Sequence, residues 1–378
     1  MKVLYICKRF YTNKDLVDDK FGRNFEFPVR LAAKGHQVLV VAIDYKGKPI
    51  EQKMAQGVEI ISIPIFSLRA LKGINMCIKS IRDFQPSHII GSGDSHFGYL
   101  AILLAKKMKA YSVFDVYDHY LSFGSNRLPM MKAMFFSSIR KANLVLCASS
   151  RLAELAQLYN QNVIILENGV DTNRFKPMDK GYCRNRLGIK NNDEIIVGYF
   201  GSMEPMRGVE YLVKACQSLQ TRYPHLRLLI AGRQSKSIEL KENFIDYRGQ
   251  VSQDQIVEMI NASDVLAIPY LPSSLVDYGN SCKIGEYLAC NVPIVATQVD
   301  NLKLNYPEVM SVIADAVVTP ANVTALESAI IMQLDQKKIV ACPTRIYWSE
   351  LCSKLEKVLL DLGNEPKVEI TEVTKCQK

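Results

Sequence analysis

The feature that most narrows the choice of fold is an alternation of short apolar, β-branched runs with helix-length segments, and this alternation occurs twice. KVLYIC (2–7), QVLVVAI (37–43), VEIISIPI (58–65), SHIIG (87–91), YSVFDVYDHY (111–120), NLVLCAS (143–149) and NVIILE (162–167) are separated by helical patterns near 23–34, 67–84, 97–109, 128–141 and 151–159. Apolar runs of this length fit strands buried on both faces of a parallel sheet, and the intervening segments fit its crossover helices. The turn formers and Pro177 of ENGVDTNRFKP (167–177) interrupt the pattern. It restarts with EIIVGYFGS (194–202), LRLLIAG (226–232), FIDYRGQ (244–250), DVLAIPY (264–270) and PIVAT (293–297). A helix lies between the last two pairs, with Ser252 and Gln255 at capping-box spacing. The expected fold class is therefore α/β, with two doubly wound parallel sheets in tandem. The expected organisation is a first domain over 1–166, a linker over 167–178 and a second domain over 179–344. An amphipathic helix over 345–362 and a polar tail over 363–378 follow.

The densest functional signal is YGNSCKIGEYLACNVPIVAT (278–297). Gly279 suits a tight turn and Ser281 an N-cap. Lys283 and Glu286 then fall in the first turns of a helix, whose N-terminus favours phosphate. Glu286 is placed to accept hydrogen bonds from a ribose diol, as the acidic residue of dinucleotide sites does. A plain helix–strand unit with a capping serine and a solvated glutamate would also produce this stretch.

Loops at the carboxyl ends of the first-half strands hold the other candidates, because ligands bind there in such sheets. After the first strand come Lys8, Arg9 and Arg23, read as a positively charged loop, with Gly22 near its end. Asp94 and His96 follow SHIIG, and Asp115, Tyr117, Asp118 and His119 crowd the end of the 111–120 run. His and Asp are the usual acid–base side chains.

Composition narrows the setting. At 48% hydrophobic and 22% charged, the chain is ordinary for a water-soluble globular protein. The longest apolar run, FGYLAILLA (97–105), is too short to cross a bilayer, and the apolar run near the start is too short for a signal peptide. A cytoplasmic location is expected. None of the ten cysteines forms a C-x-x-C pair, so free, mostly buried thiols and no metal site are expected. The net charge of +9 is uneven. Residues 1–166 carry 23 basic and 12 acidic side chains, a net +11, and the remainder is at −2. This asymmetry points to an anionic partner, either a membrane surface or a phosphorylated acceptor. No nucleic-acid-binding signature accompanies it. The 128–141 helix mixes Met130, Met131, Met134, Phe135 and Phe136 with Lys132, Arg140 and Lys141. It fits an interfacial helix on anionic lipid or a core-facing helix with a wet edge, and the second is favoured.

In order along nearly the whole chain, five pieces carry a family resemblance. They are FGRNFEFPVRLAAKGHQVLVVA, LENGVDTNRFKP, VGYFGSMEPMRGVEYLVKA, YRGQVSQDQIVEMINASDVLAIPY and KIGEYLACNVPIVAT. Together they resemble the family 4 glycosyltransferases of the GT-B fold. The second and fifth are the most specific, matching P-N-G-V-D-x-x-x-F-x-P and E-A-x-A-x-G-x-P-V-V-A-T. The resemblance implies two Rossmann-like domains facing across a cleft, with the final helix returning to the first. It implies a retaining transfer of a sugar from a nucleotide-sugar donor, without a metal or other cofactor. The C-terminal domain would hold the nucleotide, and the N-terminal domain a glycan or lipid-linked acceptor.

Carried over by position, Glu286 would bind the ribose and Arg207 would neutralise the leaving diphosphate. Gly22 would approach the phosphates, and Gly249 and Val251 would contact the base. Tyr278, Gly279, Asn280 and Ser281 complete the implied donor site. His96, Asp118 and His119 would orient the sugar. Three positions depart from the family pattern. Tyr278 stands where a glutamate is usual, with Asp277 off register. Ser202 stands for an arginine, and Tyr117-Asp118 for His-Asp. NSCKIGEY matches a related N-S-P-x-K-x-x-E-Y form, in which Lys283 would supply the second cation. The expected function is a glycosyltransferase of cell-surface polysaccharide synthesis, such as lipopolysaccharide or capsule, peripheral to the cytoplasmic membrane face. The alternative is an inactive glycosyltransferase-like scaffold that binds a nucleotide or a partner. A sugar-nucleotide epimerase of the same fold would need more acid–base groups in the second half.

Overall fold

The computed structural model describes residues 1–11, 14–122, 124, 128–190 and 193–364. The tail expected over 363–378 lies outside the described residues except for its first two, and Cys376 lies outside with it.

The first half is built on an eight-stranded sheet. In spatial order its strands are Val163–Ile165, Leu144–Cys147, Tyr111–Val116, His88–Ser92, Lys2–Lys8, Gln37–Asp44, Val58–Pro64 and Glu51–Ala55. All neighbours are parallel except the last pair. The alternation of the first strand explains its unbroken apolar run. Val3, Tyr5 and Cys7 enter one core, beneath helix Arg23–Ala33, and Leu4 and Ile6 enter the other, beneath helices Ala70–Phe84 and Ser95–Met108. Strand order reverses at Lys2–Lys8, which lies between Gln37–Asp44 and His88–Ser92. Such a reversal opens a crevice at the carboxyl ends of the strands.

The second half has a six-stranded parallel sheet in the order Ile245–Tyr247, Leu226–Ala231, Ile195–Phe200, Val265–Ile268, Ile294–Thr297, Val317–Val318. Its reversal point lies between Ile195–Phe200 and Val265–Ile268, and one continuous core surrounds the sheet.

Helix Trp348–Asn364 leaves the second half and packs on the first. Trp348, Leu351, Cys352, Leu355 and Leu359 join the core around Phe27 and Leu31, and Trp348 meets Phe27 edge-on at 5.3 Å between centroids. Lys34 and His36 both reach Glu356 at 2.7 Å. The chain crosses between the halves twice, side by side: the Val170 N–H donates to the Ile346 carbonyl at 2.9 Å.

The structure departs from expectation in three of its strand segments. Strand Glu51–Ala55 and the hairpin Phe10–Tyr11 with Lys14–Asp15 were not anticipated, and only Ile245–Tyr247 of the 244–250 run is a strand. Helix Pro129–Lys141 buries Phe135, Ser138 and Ile139 and leaves Leu128 and Met130 outside, so it is the core-facing helix. The nine described cysteines are free, and seven of them are buried. No helix among the described residues is long and apolar enough to cross a membrane.

Candidate active site

The two reversal points face each other, and most of the sequence candidates lie on their loops. On the second-half side, Lys283 rises from the first turn of helix Cys282–Ala289 and runs across Gly201. A Cβ at Gly201 would lie 2.0 Å from Lys283 Cε, and its φ of +149° is also one that side chains rarely adopt. Glycine is thus required there for close approach as well as for conformation. Lys283 Nζ ends 3.2 Å from the Tyr270 hydroxyl and 3.4 Å from that of Tyr199. The Arg207 guanidinium lies over the same Tyr270 ring, 4.8 Å from its centroid. Two cations therefore share one tyrosine, with no carboxylate paired to either among the described residues.

Like charges in a recess repel, so something must hold them. Burial works against the Lys283 ammonium, and the Tyr199 and Tyr270 phenols more than offset it, leaving its pKa raised. Tyr270 shows the converse: burial pushes it up, but Lys283 and Arg207 outweigh this and leave it lowered. The Arg207 Nε and Asn280 Nδ2 are buried donors without an acceptor among the described residues. Glu286, one turn beyond Lys283, accepts no hydrogen bond there either. Burial pushes its pKa up to about 7, against the pull of Lys283. The Asn280 side chain turns toward Tyr306, whose hydroxyl donates to its Oδ1 at 3.4 Å. An unmatched Arg207 donor, a second cation without a carboxylate and an unpaired carboxyl in one recess are the inventory of a site built for a polar anionic ligand.

The glycine positions line the same edge. Gly201, Gly232 and Gly249 follow three adjacent strands with φ of +149°, +131° and +67°. The Gly232 N–H donates to the Gly249 carbonyl at 2.7 Å. This row ties Gly249 to the Lys283 recess, and Val251 lies half-buried just beyond it against the second core.

The first half supplies Asp118, whose carboxyl is pushed by burial up to about 6, against the His119 backbone N–H and the Arg207 guanidinium. The Tyr11 hydroxyl donates to it over 3.4 Å. His119 stacks on Tyr278 across the cleft, with centroids 4.4 Å apart, and its Nδ1 lies 2.5 Å from the Ser122 hydroxyl. His96, in the first turn of its helix, meets the Tyr45 hydroxyl at 2.7 Å. Burial lowers the pKa of both imidazoles, so both are neutral near pH 7.

Arg207, Lys283, Ser281 and Glu286 are thus brought together, with Asp118 opposite Arg207, His119 against Tyr278, and Asn280 beside them against Tyr306. His96 and Gly22 stand apart on the first-half rim, and Gly22 opens helix Arg23–Ala33 with φ +80°. Two local roles differ from expectation. Ser281 stands at the N-cap position, but its hydroxyl meets the Tyr270 hydroxyl at 3.0 Å instead of capping the helix. Gly279 has no left-handed φ; its constraint is space, since a Cβ would lie 3.0 Å from the Leu275 carbonyl oxygen. The charged first loop is also largely neutralised. Arg23 is buried and paired through both ends with Asp115, at 2.7 and 3.1 Å. Arg9 is buried with Asp15 and Glu51, and Lys8 pairs with Asp94. Sequence reasoning missed Tyr11, Tyr199 and Tyr270. Tyr199 and Tyr270 fall at the carboxyl ends of the reversal-point strands, inside runs read as buried strand, and Tyr11 lies in the loop after the first strand, on the hairpin Phe10–Tyr11 with Lys14–Asp15. No group of three or more His, Cys, Asp or Glu among the described residues is placed to hold a metal ion.

Comparison with known proteins agrees with this geometry. Residues 26–174 match the model described as Glycosyltransferase Family 4, and residues 194–336 the model described as Glycosyl transferases group 1. The D-inositol 3-phosphate glycosyltransferase of Segniliparus rotundus is 26% identical over 155 residues, 38% of this chain and 33% of that protein. The chain thus matches about a third of the length of such curated relatives. Sucrose-phosphate synthase from Thermosynechococcus elongatus superposes with a TM-score of 0.72 at 16% identity, over 96% of this chain and 99% of that one. Anabaena HepE in complex with UDP does so with a TM-score of 0.70 at 14% identity, over 96% and 100%. Two parallel-sheet halves, a cleft between their reversal points and family matches on both sides of the linker lead to one assignment: the chain belongs to the family 4 glycosyltransferases, with the GT-B fold.

Proposed function

We propose that the protein is a retaining, metal-independent glycosyltransferase that moves a sugar from a nucleoside-diphosphate sugar to a glycan or lipid-linked acceptor in building a cell-surface glycan. The observation that carries this reading is the convergence of Arg207 and Lys283 on Tyr270, with Glu286 unpaired one turn beyond. Two fixed cations suit a diphosphate, and a carboxylate one helical turn further on suits a ribose diol. The bound UDP of Anabaena HepE supports a uracil nucleotide as the first donor to try. The name of the Segniliparus relative supports a phosphorylated acceptor, in keeping with the basic first half.

In the mechanism, the acceptor hydroxyl attacks the anomeric carbon on the face from which the diphosphate departs. The carbon–oxygen bond to the diphosphate breaks, and the acceptor proton passes to the departing phosphate oxygen. Arg207 and Lys283 stabilise the charge that grows there, and the role a metal plays elsewhere falls to them. Asp118, His119 and His96 orient the sugar from the opposite wall.

The test is a thermal-shift panel of UDP, GDP, ADP and their sugar conjugates, with and without Mg²⁺, followed by turnover of the donor that binds. One nucleotide series should raise the melting temperature, indifferently to metal, and the shift should disappear in Glu286→Ala. Arg207→Ala should lower turnover about 10²–10³-fold. Binding with no turnover on any acceptor would instead select the inactive scaffold, a reading favoured by the Tyr278 ring stacked on His119 where the family has a glutamate.

A further inference from the structure

The cleft leaves one prominent surface unexplained. Between residues 66 and 82, five large apolar side chains stand in solvent: Phe66, Leu68, Leu71, Ile74 and Ile78. Leu68 is fully exposed, and Phe66 and Leu71 are about three-quarters exposed, at 76% and 75%. Helix Ala70–Phe84 buries Gly73, Cys77 and Ile81 against the sheet. Leu71, Ile74 and Ile78 recur at helical spacing and form a stripe along the exposed edge of that face, between it and the solvent side of the helix. Arg69, Lys72, Lys79 and Arg82 are exposed beside the stripe, and none is ion-paired among the described residues. An apolar strip with a cationic flank and a buried third side is the pattern of a helix that lies in a lipid interface.

We propose that residues 66–82 dock the protein on an anionic phospholipid bilayer and so present the first-half side of the cleft to a lipid-linked acceptor. Charge complementarity selects this occupant. A second copy joined through the same face would set the four cations against their own images. Position supports it too. Phe66 packs near Tyr45, with centroids 6.0 Å apart, and the Tyr45 hydroxyl holds His96 on the cleft rim. The patch and the acceptor wall are thus two side chains apart. Presentation of an acceptor rests on the glycosyltransferase reading; docking itself does not. The surface is also distinct from helix Pro129–Lys141, whose apolar side faces the core.

The experiment is co-sedimentation of the full chain with vesicles of phosphatidylglycerol mixed with phosphatidylcholine, against phosphatidylcholine alone, over a salt series. The wild type should favour the anionic vesicles and lose binding as salt rises. Lys72→Gln with Lys79→Gln should weaken partitioning about thirty-fold, from the loss of two surface cations. Leu68→Ser with Leu71→Ser should weaken it further at high salt, and Lys132→Gln should leave it unchanged. Equal binding to both vesicles, or variants that bind like the wild type, would overturn the proposal. So would a lipid-free dimer abolished by the Leu68/Leu71 changes. UDP thermal shifts on the same proteins keep the two readings apart: lost docking with intact nucleotide binding removes only this inference.

Discussion

Replacing Glu286 by glutamine should make the ligand-free protein more stable and the donor site worse. In the folded protein the Glu286 pKa is raised from 4.5 to about 7, first by burial, with Lys283 opposing. A raised carboxylate means that the native state holds its proton more tightly than the unfolded chain. Stability is therefore favoured below about pH 4.5 and lost as pH rises through about 7. Fully counted, a shift of that size corresponds to about 3 kcal/mol above pH 7, and partial solvent access reduces it to about 1–3 kcal/mol. Glutamine keeps the shape and removes the charge. Denaturant unfolding of wild type and Glu286→Gln at pH 8 should show the variant more stable by this amount, with the gap closing toward pH 4.5. In parallel, titration with a UDP-sugar, whose diphosphate has no titrating terminal oxygen, should show wild-type affinity falling about tenfold from pH 8 to pH 6. The variant should bind weakly and without that dependence. A variant no more stable at pH 8 than at pH 5, relative to wild type, would refute the reasoning, because the desolvated charge would then lie elsewhere.

Other consequences can be checked one by one. Gly201→Ala places a methyl group on the path of Lys283 and should weaken donor binding about tenfold or more in calorimetric titration; unchanged affinity would remove Lys283 from the phosphates. Tyr270→Phe keeps the ring under Arg207 but drops the hydroxyl near Lys283, so it should cost less affinity than Tyr270→Ala. A Tyr270→Ala and Arg207→Ala double-mutant cycle should show coupling of about 0.5–2 kcal/mol, and additivity would deny that the ring seats the guanidinium. Arg23→Leu strands Asp115 without its partner and should cost about 3–5 kcal/mol of stability in urea unfolding; a cost under about 1 kcal/mol would show that water or Ser92 replaces the pair.

The sheets were legible because strands buried on both faces are written as unbroken apolar runs, and the linker because Pro177 and its turn formers interrupt them. Glu51–Ala55 was not legible: EQKMA is a polar edge strand, and its place is set by its antiparallel neighbour Val58–Pro64. Within the site, Arg207, Lys283 and Glu286 came from local motifs. The motif resemblance says nothing of what lies under them. Tyr270 and Tyr199 matter because two strand ends 71 positions apart meet at the reversal point, and linear spacing carries no trace of that. The misreading of Arg23 has the same origin. Its charge is cancelled by Asp115, 92 positions away, through a bidentate pair that only the folded sheet creates.

The returning helix Trp348–Asn364 has a consequence for how the chain is made. The first sheet is finished at Ile165, yet the groove beside Phe27 and Leu31 is filled by Trp348, Leu351, Cys352, Leu355 and Leu359, which are made much later. At about 5–20 residues per second, synthesis leaves on the order of 10–40 s between the two events. Throughout that interval the nascent first half carries an open apolar trough on its surface. The first half therefore cannot close completely before the second is translated, because a helix made after the second half is what seals it.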